Sequence, residues 1–474
     1  MACRHLGQNS SEASSWSYES CGRAMAIVFA SWRRYIRRLS DRFNMRAVYV
    51  ETYGCQMNLA DTELLLGHLG RSGYRRTDDP SAADVILLNT CAIREHAEER
   101  VMGRLGELQH HKTKRPDVQL GLAGCMAQHL KDQLPARAPF VDFVVGPDSY
   151  RRLPEMLAQG DAFVDVRLGR DETYADIAPL RGAGVRAWIS IMRGCDKFCA
   201  FCVVPYVRGR ERSLPADAVL DQVCAAVAAG YREVVFLGQT VNAYRDGALD
   251  FAGLLRRSNA IDGLERIRFT SPHPSDMTDA VIDAFGECEK VCPQLHLPVQ
   301  SGSDPVLARM DRGYGRDEYL QLVERLRSAK PGLALSTDII VGFPGEGDAD
   351  FEATCELMRM VRYDNAFMFK YSRREHTKAF NWDETVHDAE KSRRLQSVIA
   401  LQEQIAFEIN RTLIGDTVEV LVEGPARRRD GWMAGKTPQF KTAVLPADGA
   451  AIGDTVRVRV TSATAHTLIG DSVS

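Results

Sequence analysis

Between Met45 and about residue 160 the chain repeats one pattern three times: an apolar strand-like run, a cysteine at its end, and a helix-like run. Ala47 to Thr52 leads to Cys55, Val85 to Asn89 leads to Cys91, and Leu120 to Ala123 leads to Cys125. Alternating strands and helices pair in parallel, and a parallel sheet sets every strand's carboxyl end along one edge. Three cysteines remote in sequence are therefore expected to converge. Gly54 and Gly124 precede two of them and allow close backbone approach. Asn58, with Asp61 three residues on, predicts the cap of a helix running through Leu69.

A second triplet is local. Cys195, Cys199 and Cys202 stand in a C-x3-C-x2-C spacing just after the apolar run Ala187 to Met192. Three thiolates leave a [4Fe-4S] cluster one ligand short, so one iron keeps a position for a small molecule. A structural zinc knuckle would want a fourth Cys or His close by, and the sequence offers none there. The same count holds for Cys55, Cys91 and Cys125, although three unrelated cysteines of an α/β core would give that pattern too.

Residues 181–411 carry six strand-like runs separated by helical ones: Ala187 to Met192, Glu233 to Leu237, Ile267 to Thr270, Gln294 to Val299, Ala334 to Val341 and Ala366 to Tyr371. Six βα units suit a partial barrel, open on one side, with ligands at the strands' carboxyl ends. The loops Gly238 to Asn242, Ser271 to Pro274, Gln300 to Ser303 and Gly342 to Glu346 are expected on that rim. Cys288 and Cys292 lack a third partner, Cys224 and Cys355 fall in helical patterns as small apolar residues, and His296 alternates along an apolar strand as a hydrogen-bonded core histidine.

After a long helical stretch from Glu384 to Arg411, the runs Thr417 to Val422, Ala443 to Leu445 and Thr455 to Val460 read as a small all-β barrel. There Arg427, Arg428 and Arg429 lie beside Trp432, and Lys436 and Lys441 beside Phe440, a pairing of cations and rings suited to RNA. Net charge is close to zero, 60 basic against 63 acidic residues, so a nucleic acid must meet such a local patch. Twelve cysteines without a secretory signal imply a reducing compartment, and no apolar run is long enough to span a membrane. The first 44 residues hold seven Arg against three acids and read as a poorly ordered, dispensable extension rather than a targeting helix, with Cys3 and Cys21 not ligands.

The fold class is thus α/β multidomain: an N-terminal parallel α/β sheet domain over 46–162, a central partial (βα)6 barrel over 181–411, and a small C-terminal β barrel over 412–474. Glu51 to Asn58, Asn89 to Cys91, Gly124-Cys125, the 195–202 triplet with Val204 to Gly209, Leu237 to Tyr244 and His296 to Gly302 resemble the motifs of the radical-SAM methylthiotransferases, the MiaB-type tRNA enzymes above all. The resemblance covers Arg46 to the C-terminus and implies a radical SAM domain followed by a TRAM-like RNA-binding barrel.

It also implies the roles. Cys195, Cys199 and Cys202 would hold the [4Fe-4S] cluster that cleaves S-adenosylmethionine (SAM), with Phe201, Gly238, Gln239, Asn242, Gln300 and Ser301 around the SAM. Cys55, Cys91 and Cys125 would hold an auxiliary [4Fe-4S] cluster that delivers sulfur. The implied reaction methylthiolates C2 of N6-isopentenyladenosine at position 37 of tRNA, with SAM as methyl donor and as source of a 5′-deoxyadenosyl radical. Partners implied are tRNA, an electron donor such as flavodoxin or ferredoxin, and iron-sulfur assembly proteins, for a cytoplasmic monomer. The alternatives are threonylcarbamoyladenosine or ribosomal protein S12 as substrate, or a non-catalytic iron-sulfur RNA sensor. One motif departs: the family often reads Tyr-Ser-x-Arg-x-Gly-Thr-x-Ala, and His376 stands at the glycine.

Overall fold

The computed structural model describes residues 45–91 and 95–473, so the expectations for the first 44 residues, Cys3 and Cys21 included, lie outside the described residues. The first sheet has six parallel strands, in the order Tyr74–Arg76, Arg46–Thr52, Val85–Thr90, Gln119–Gly124, Phe143–Val145 and Phe163–Asp165. Its middle strands Val85–Thr90 and Gln119–Gly124 are buried along their whole length. Alternate residues feed two cores: Val85 and Leu87 join Leu65 and Leu69 on one face, while Ile86, Leu88 and Leu120 join Leu105 and Leu108 on the other. Burial on both faces is what a parallel sheet requires, and it explains the continuous apolar runs.

The central region also runs parallel, in two three-stranded sheets. One holds Arg186–Ser190, Glu233–Leu237 and Arg266–Phe269; the other holds Gln294–His296, Ala334–Val341 and Asn365–Lys370. A parallel bridge between Ile267 and Val291 joins them, with the Cys292 amide donating to Ile267 at 3.0 Å. The six strands therefore follow one another in chain order as an arc. The fourth is shorter than its apolar run: pairing stops at His296 and resumes only as a bridge from Gln300 to Ile339, where Gln300 takes φ 75°.

Beyond the helix Asp388–Arg411, five strands close a barrel in the order Thr417–Pro425, Trp432–Lys436, Thr442–Pro446, Thr467–Ser472 and Thr455–Ala463. It docks on the amino ends of the first three central strands, opposite the cysteine loops. Phe440 sits with its centroid 4.9 Å from the guanidinium carbons of both Arg186 and Arg268. Arg268 donates to the Pro438 and Thr437 carbonyls at 2.8 and 3.0 Å, and Arg266 to that of Lys436 at 2.9 Å.

This contact corrects part of the RNA expectation. Phe440 is spent on the domain junction, and the Lys436 ammonium is held inside the barrel, 4.6 Å from the Phe440 centroid and 2.7 Å from the Thr442 hydroxyl. Lys441 binds Asp364 at 2.5 Å and Asn410 at 2.9 Å. Arg427, Arg428 and Arg429 remain exposed, and Arg429 lies 4.5 Å over the half-buried Trp432 ring. Among the described residues no helix is long and apolar enough to cross a membrane.

Candidate iron-sulfur and SAM site

All three N-terminal cysteines stand where adjacent parallel strands end. Cys55 follows Arg46–Thr52 and opens the helix Gln56–Arg71; Cys91 follows Val85–Thr90; Cys125 follows Gln119–Gly124 and opens the helix Cys125–Leu130. Gly54 takes φ 131°, and a Cβ there would lie 2.4 Å from the Cys91 Cβ. Gly124 takes φ 92°, and its Cβ would lie 2.5 Å from both the Asn89 Oδ1 and the Thr90 carbonyl. Only glycine lets the three loops meet so closely.

Asn58 does not cap its helix, as the sequence suggested; the cap position is Cys55. Asn58 is fully buried, and its amide donates to Asn89 at 3.2 Å and to the Thr90 carbonyl at 3.0 Å, tying the first cysteine loop to the second. Cap signatures are written in polar residues near a helix start, and a polar residue placed there to brace a site looks the same.

The Cys91 thiol hydrogen-bonds Cys55 and, with Arg208 nearby, pulls the Cys55 pKa down to about 6. Burial pushes the Cys125 thiol up, against the pull of Arg208. A thiolate, two further thiols and a buried cation make a donor set suited to a thiophilic cluster. A single zinc draws its thiolates to about 2.3 Å of one centre, whereas a four-iron cluster binds each through a different iron. Among the described residues no three His, Cys, Asp or Glu side chains are gathered to hold one metal ion.

The second triplet lies in the loop after Arg186–Ser190, held by a two-residue ladder of Met192–Arg193 with Arg212–Ser213. The Cys195 sulfur is 3.1 Å from the Thr240 hydroxyl, and Arg312 donates to the Cys199 sulfur at 3.3 Å. Burial raises the Cys202 thiol to about 12. A bound metal reverses that preference by stabilising the thiolate. Arg312, 5% exposed, is fixed by Tyr314 at 3.0 Å and by the Pro298 carbonyl at 2.8 Å. Neither Thr240 nor Arg312 was singled out from sequence, since a buried arginine far along the chain carries no local signature.

The rim residues divide. Gln239 has both side-chain polar atoms buried and without partners, which suits a ligand contact. Gly238 leaves no room for a side chain, because its Cβ would fall 2.6 Å from Met192 Cγ and 3.0 Å from Val241 Cα. Asn242 instead spends both ends on the next loop, donating to the His273 carbonyl at 2.9 Å and accepting from its amide at 2.8 Å. Ser301 is fully buried, 3.3 Å from the Thr354 hydroxyl. The Gln300 backbone pairs with Asp338 and Ile340 at 2.9 Å each. Phe201 packs edge-on to Phe343 at 6.4 Å, in a wall with Met310 and Trp382.

His273 lies in the expected rim loop Ser271 to Pro274, though no role of its own was read from the sequence. Burial, with Arg312 and Lys197 nearby, drives its pKa to about 2, so the ring is neutral, and its Nε2 is buried without a partner. His296, expected in the core, is not there: it alternates with the fully buried Leu295 and Leu297 and faces the other side, bonded to Ser336 at 3.0 Å and 3.5 Å from Asp338. Cys288, Cys292 and Cys355 are buried, and Cys224 is exposed rather than packed. His376 takes φ 71°, so the loop keeps the turn a glycine would give, and the ring lies 6.2 Å from Tyr206 and 6.3 Å from His129.

Comparison with known proteins agrees with this division of the chain. Residues 47–146 match the family UPF0004, described as an uncharacterized protein family, residues 189–358 the radical SAM superfamily, and residues 411–473 the TRAM domain. The tRNA-2-methylthio-N(6)-dimethylallyladenosine synthase of Chloroherpeton thalassium is 45% identical over 441 residues, covering 92% of this chain and 98% of that protein. The chain belongs to this synthase family. Its member from Anaeromyxobacter dehalogenans is 46% identical over 440 residues, covering 90% of this chain and 94% of that protein. Among solved structures, the radical S-adenosylmethionine methyltransferase TsrM from Kitasatospora setae, with cobalamin and a [4Fe-4S] cluster bound, superposes with a TM-score of 0.54. That match covers 82% of this chain and 77% of TsrM at 13% identity, a likeness of fold alone. Membership makes the chain a radical-SAM enzyme whose cofactors include an iron-sulfur cluster and SAM.

Proposed function

We propose that this chain installs a methylthio group at C2 of N6-isopentenyladenosine (N6-dimethylallyladenosine) at position 37 of tRNA. Cys195, Cys199 and Cys202 would hold the cluster that binds SAM, and Cys55, Cys91 and Cys125 a second one. When bound, these groups and SAM would supply a radical able to take an unactivated hydrogen and the sulfur to replace it, chemistry that acid-base side chains cannot perform. The chain's own residues orient and enclose. Gln239 and the neutral His273 offer unpaired buried polar atoms at the rim, and Phe201 and Phe343 wall it from water. The exposed arginines 427 to 429 with Trp432 fit the phosphates and bases of a loop, where an adenine can be splayed out without opening a duplex.

The single observation that carries this reading is that both cysteine triplets lie at strand carboxyl ends, with Arg208, six residues after Cys202, reaching the first triplet to bond the Cys125 sulfur at 3.1 Å. A flavodoxin or ferredoxin as reductant, iron-sulfur assembly proteins as cluster donors, and a monomeric cytoplasmic enzyme belong to the same proposal. Mixing the reconstituted chain anaerobically with reductant, SAM and tRNA bearing isopentenyladenosine, then weighing the nucleosides, tests it. The 2-methylthio nucleoside is expected. Modification of a threonylcarbamoyladenosine tRNA instead, or of neither, would overturn the assignment.

A further inference from the structure

Asp61 is 1% exposed, in the helix that follows Cys55, yet it accepts two guanidiniums from the other domain. Arg193, two residues before Cys195, and Arg208, six after Cys202, each donate an Nη2 to it at 2.8 Å. Both arginines are at most 3% exposed. Arg208 also turns its Nε to the Cys125 sulfur at 3.1 Å. Its Nη1 is buried with no partner.

One carboxylate faces two buried guanidiniums, and the unused Nη1 donor on the buried, charged Arg208 is costly. The local arrangement therefore leaves room for one more acceptor beside Arg208, the residue that meets Cys125. Arg312, which makes the corresponding contact to Cys199, shows the contrast: its Nε, Nη1 and Nη2 are all bonded. Arg208 keeps one donor in reserve.

We infer that Arg208 is a positioning residue for the group held by Cys55, Cys91 and Cys125, fixing the Cys125 sulfur and setting that group's reduction potential. The inference rests on the assignment of a cluster to those cysteines. A charged donor beside the sulfurs stabilises the more negative, reduced state, because hydrogen bonds and net charge near the sulfurs set such potentials. Through Asp61 the same residue ties this centre to Arg193, at the root of the loop bearing Cys195, Cys199 and Cys202.

The test uses the full chain carrying Cys195→Ala, Cys199→Ala and Cys202→Ala, so that one centre loads, titrated against redox dyes while its absorbance and electron paramagnetic resonance signal are followed. Arg208→Gln is expected to retain about four irons and to lower the reduced-to-oxidised ratio at fixed potential about tenfold, equivalent to about 59 mV for one electron. Arg208→Lys, which keeps the charge and loses the planar fork, is expected to recover part of that loss. Arg193→Gln, which weakens the seam without touching Cys125, should leave the ratio within about threefold, since coupling falls off away from the sulfurs.

An unchanged potential in Arg208→Gln with iron intact would overturn the inference. So would an equal shift in Arg193→Gln, which would mark a general loosening of the seam. Failure of both Arg208 variants to load iron while Arg193→Gln loads it would make Arg208 a structural brace and overturn the tuning role. A parent chain that binds no cluster at all would instead overturn the assignment on which the inference rests.

Discussion

Replacing Phe440 by Ala separates the two roles the C-terminal barrel's cations and rings can play. The ring is 36% exposed, so roughly two-thirds of the 200 Å² or so a phenyl group can bury is covered, about 3 kcal/mol at 25 cal/mol per Å². Contacts across the junction from Arg186 and Arg268, each 4.9 Å from the ring centre, add about 1 kcal/mol together, since one ring cannot serve two cations additively. Phe440→Ala should therefore weaken docking of the barrel by about 4 kcal/mol, nearly a thousandfold in the docking constant. Hydrogen exchange reads this directly: amides of residues 186–190, 266–269 and 436–441 should lose protection while the sheet of residues 46–165 keeps it. Phe440→Leu, which retains much of the area and loses the cation contacts, should give about a third of the effect. The salt dependence of RNA binding should stay as in the parent, whereas replacing Arg427, Arg428 and Arg429 together by Ala should reduce its slope by about 2. Unchanged exchange in Phe440→Ala, with a salt slope reduced as in the triple variant, would refute the junction and return Phe440 and Lys436 to the RNA surface.

Other predictions follow from single buried groups. Glu233, fully buried between Arg186 and Arg268, should cost about 3 kcal/mol when changed to Gln, because the buried Arg268 loses its carboxylate and Arg186 is left with Glu423 alone; denaturant titration of the reconstituted chain checks it. Gly54→Ala should displace Cys91, whose Cβ lies 2.4 Å from the added carbon, and lower iron from about eight to about four per chain while SAM binding persists. Asp165, held down to about 2 by hydrogen bonds from Arg167, Arg152 and Ser149 that outweigh its burial, stabilises the fold above the unfolded carboxyl's pKa of about 4 and loses that contribution as pH falls toward 2. Asp165→Asn should thus cost about 1 to 2 kcal/mol at pH 7, after discounting for solvent screening, and progressively less below about pH 4.

How far the sequence could be read depends on whether a residue's neighbours are local. The strands ending at Cys55, Cys91 and Cys125 were legible because parallel pairing makes the face of every central strand apolar, and their shared edge follows from topology. Glu233 to Leu237 and Ala334 to Val341 were legible to the residue. The strands Tyr74–Arg76, Phe143–Val145 and Phe163–Asp165 have three residues each, too few for periodicity, and exist through their pairing. Asn58, Asp61 and Phe440 were misread for one reason: each looks like a local signal, a cap or a stacking surface, and each is spent on a partner more than 30 residues away. Arg208 and Arg312 carry no local pattern at all, and only the folded chain shows them reaching a cysteine sulfur.

Two clusters per chain are the foundation of the proposed reaction. Anaerobic reconstitution followed by iron and sulfide analysis should give about eight of each per chain, about four when Cys55, Cys91 and Cys125 are changed to Ala, and about four when Cys195, Cys199 and Cys202 are changed instead. About four in the unaltered chain, with no loss on changing the first triplet, would contradict the proposal.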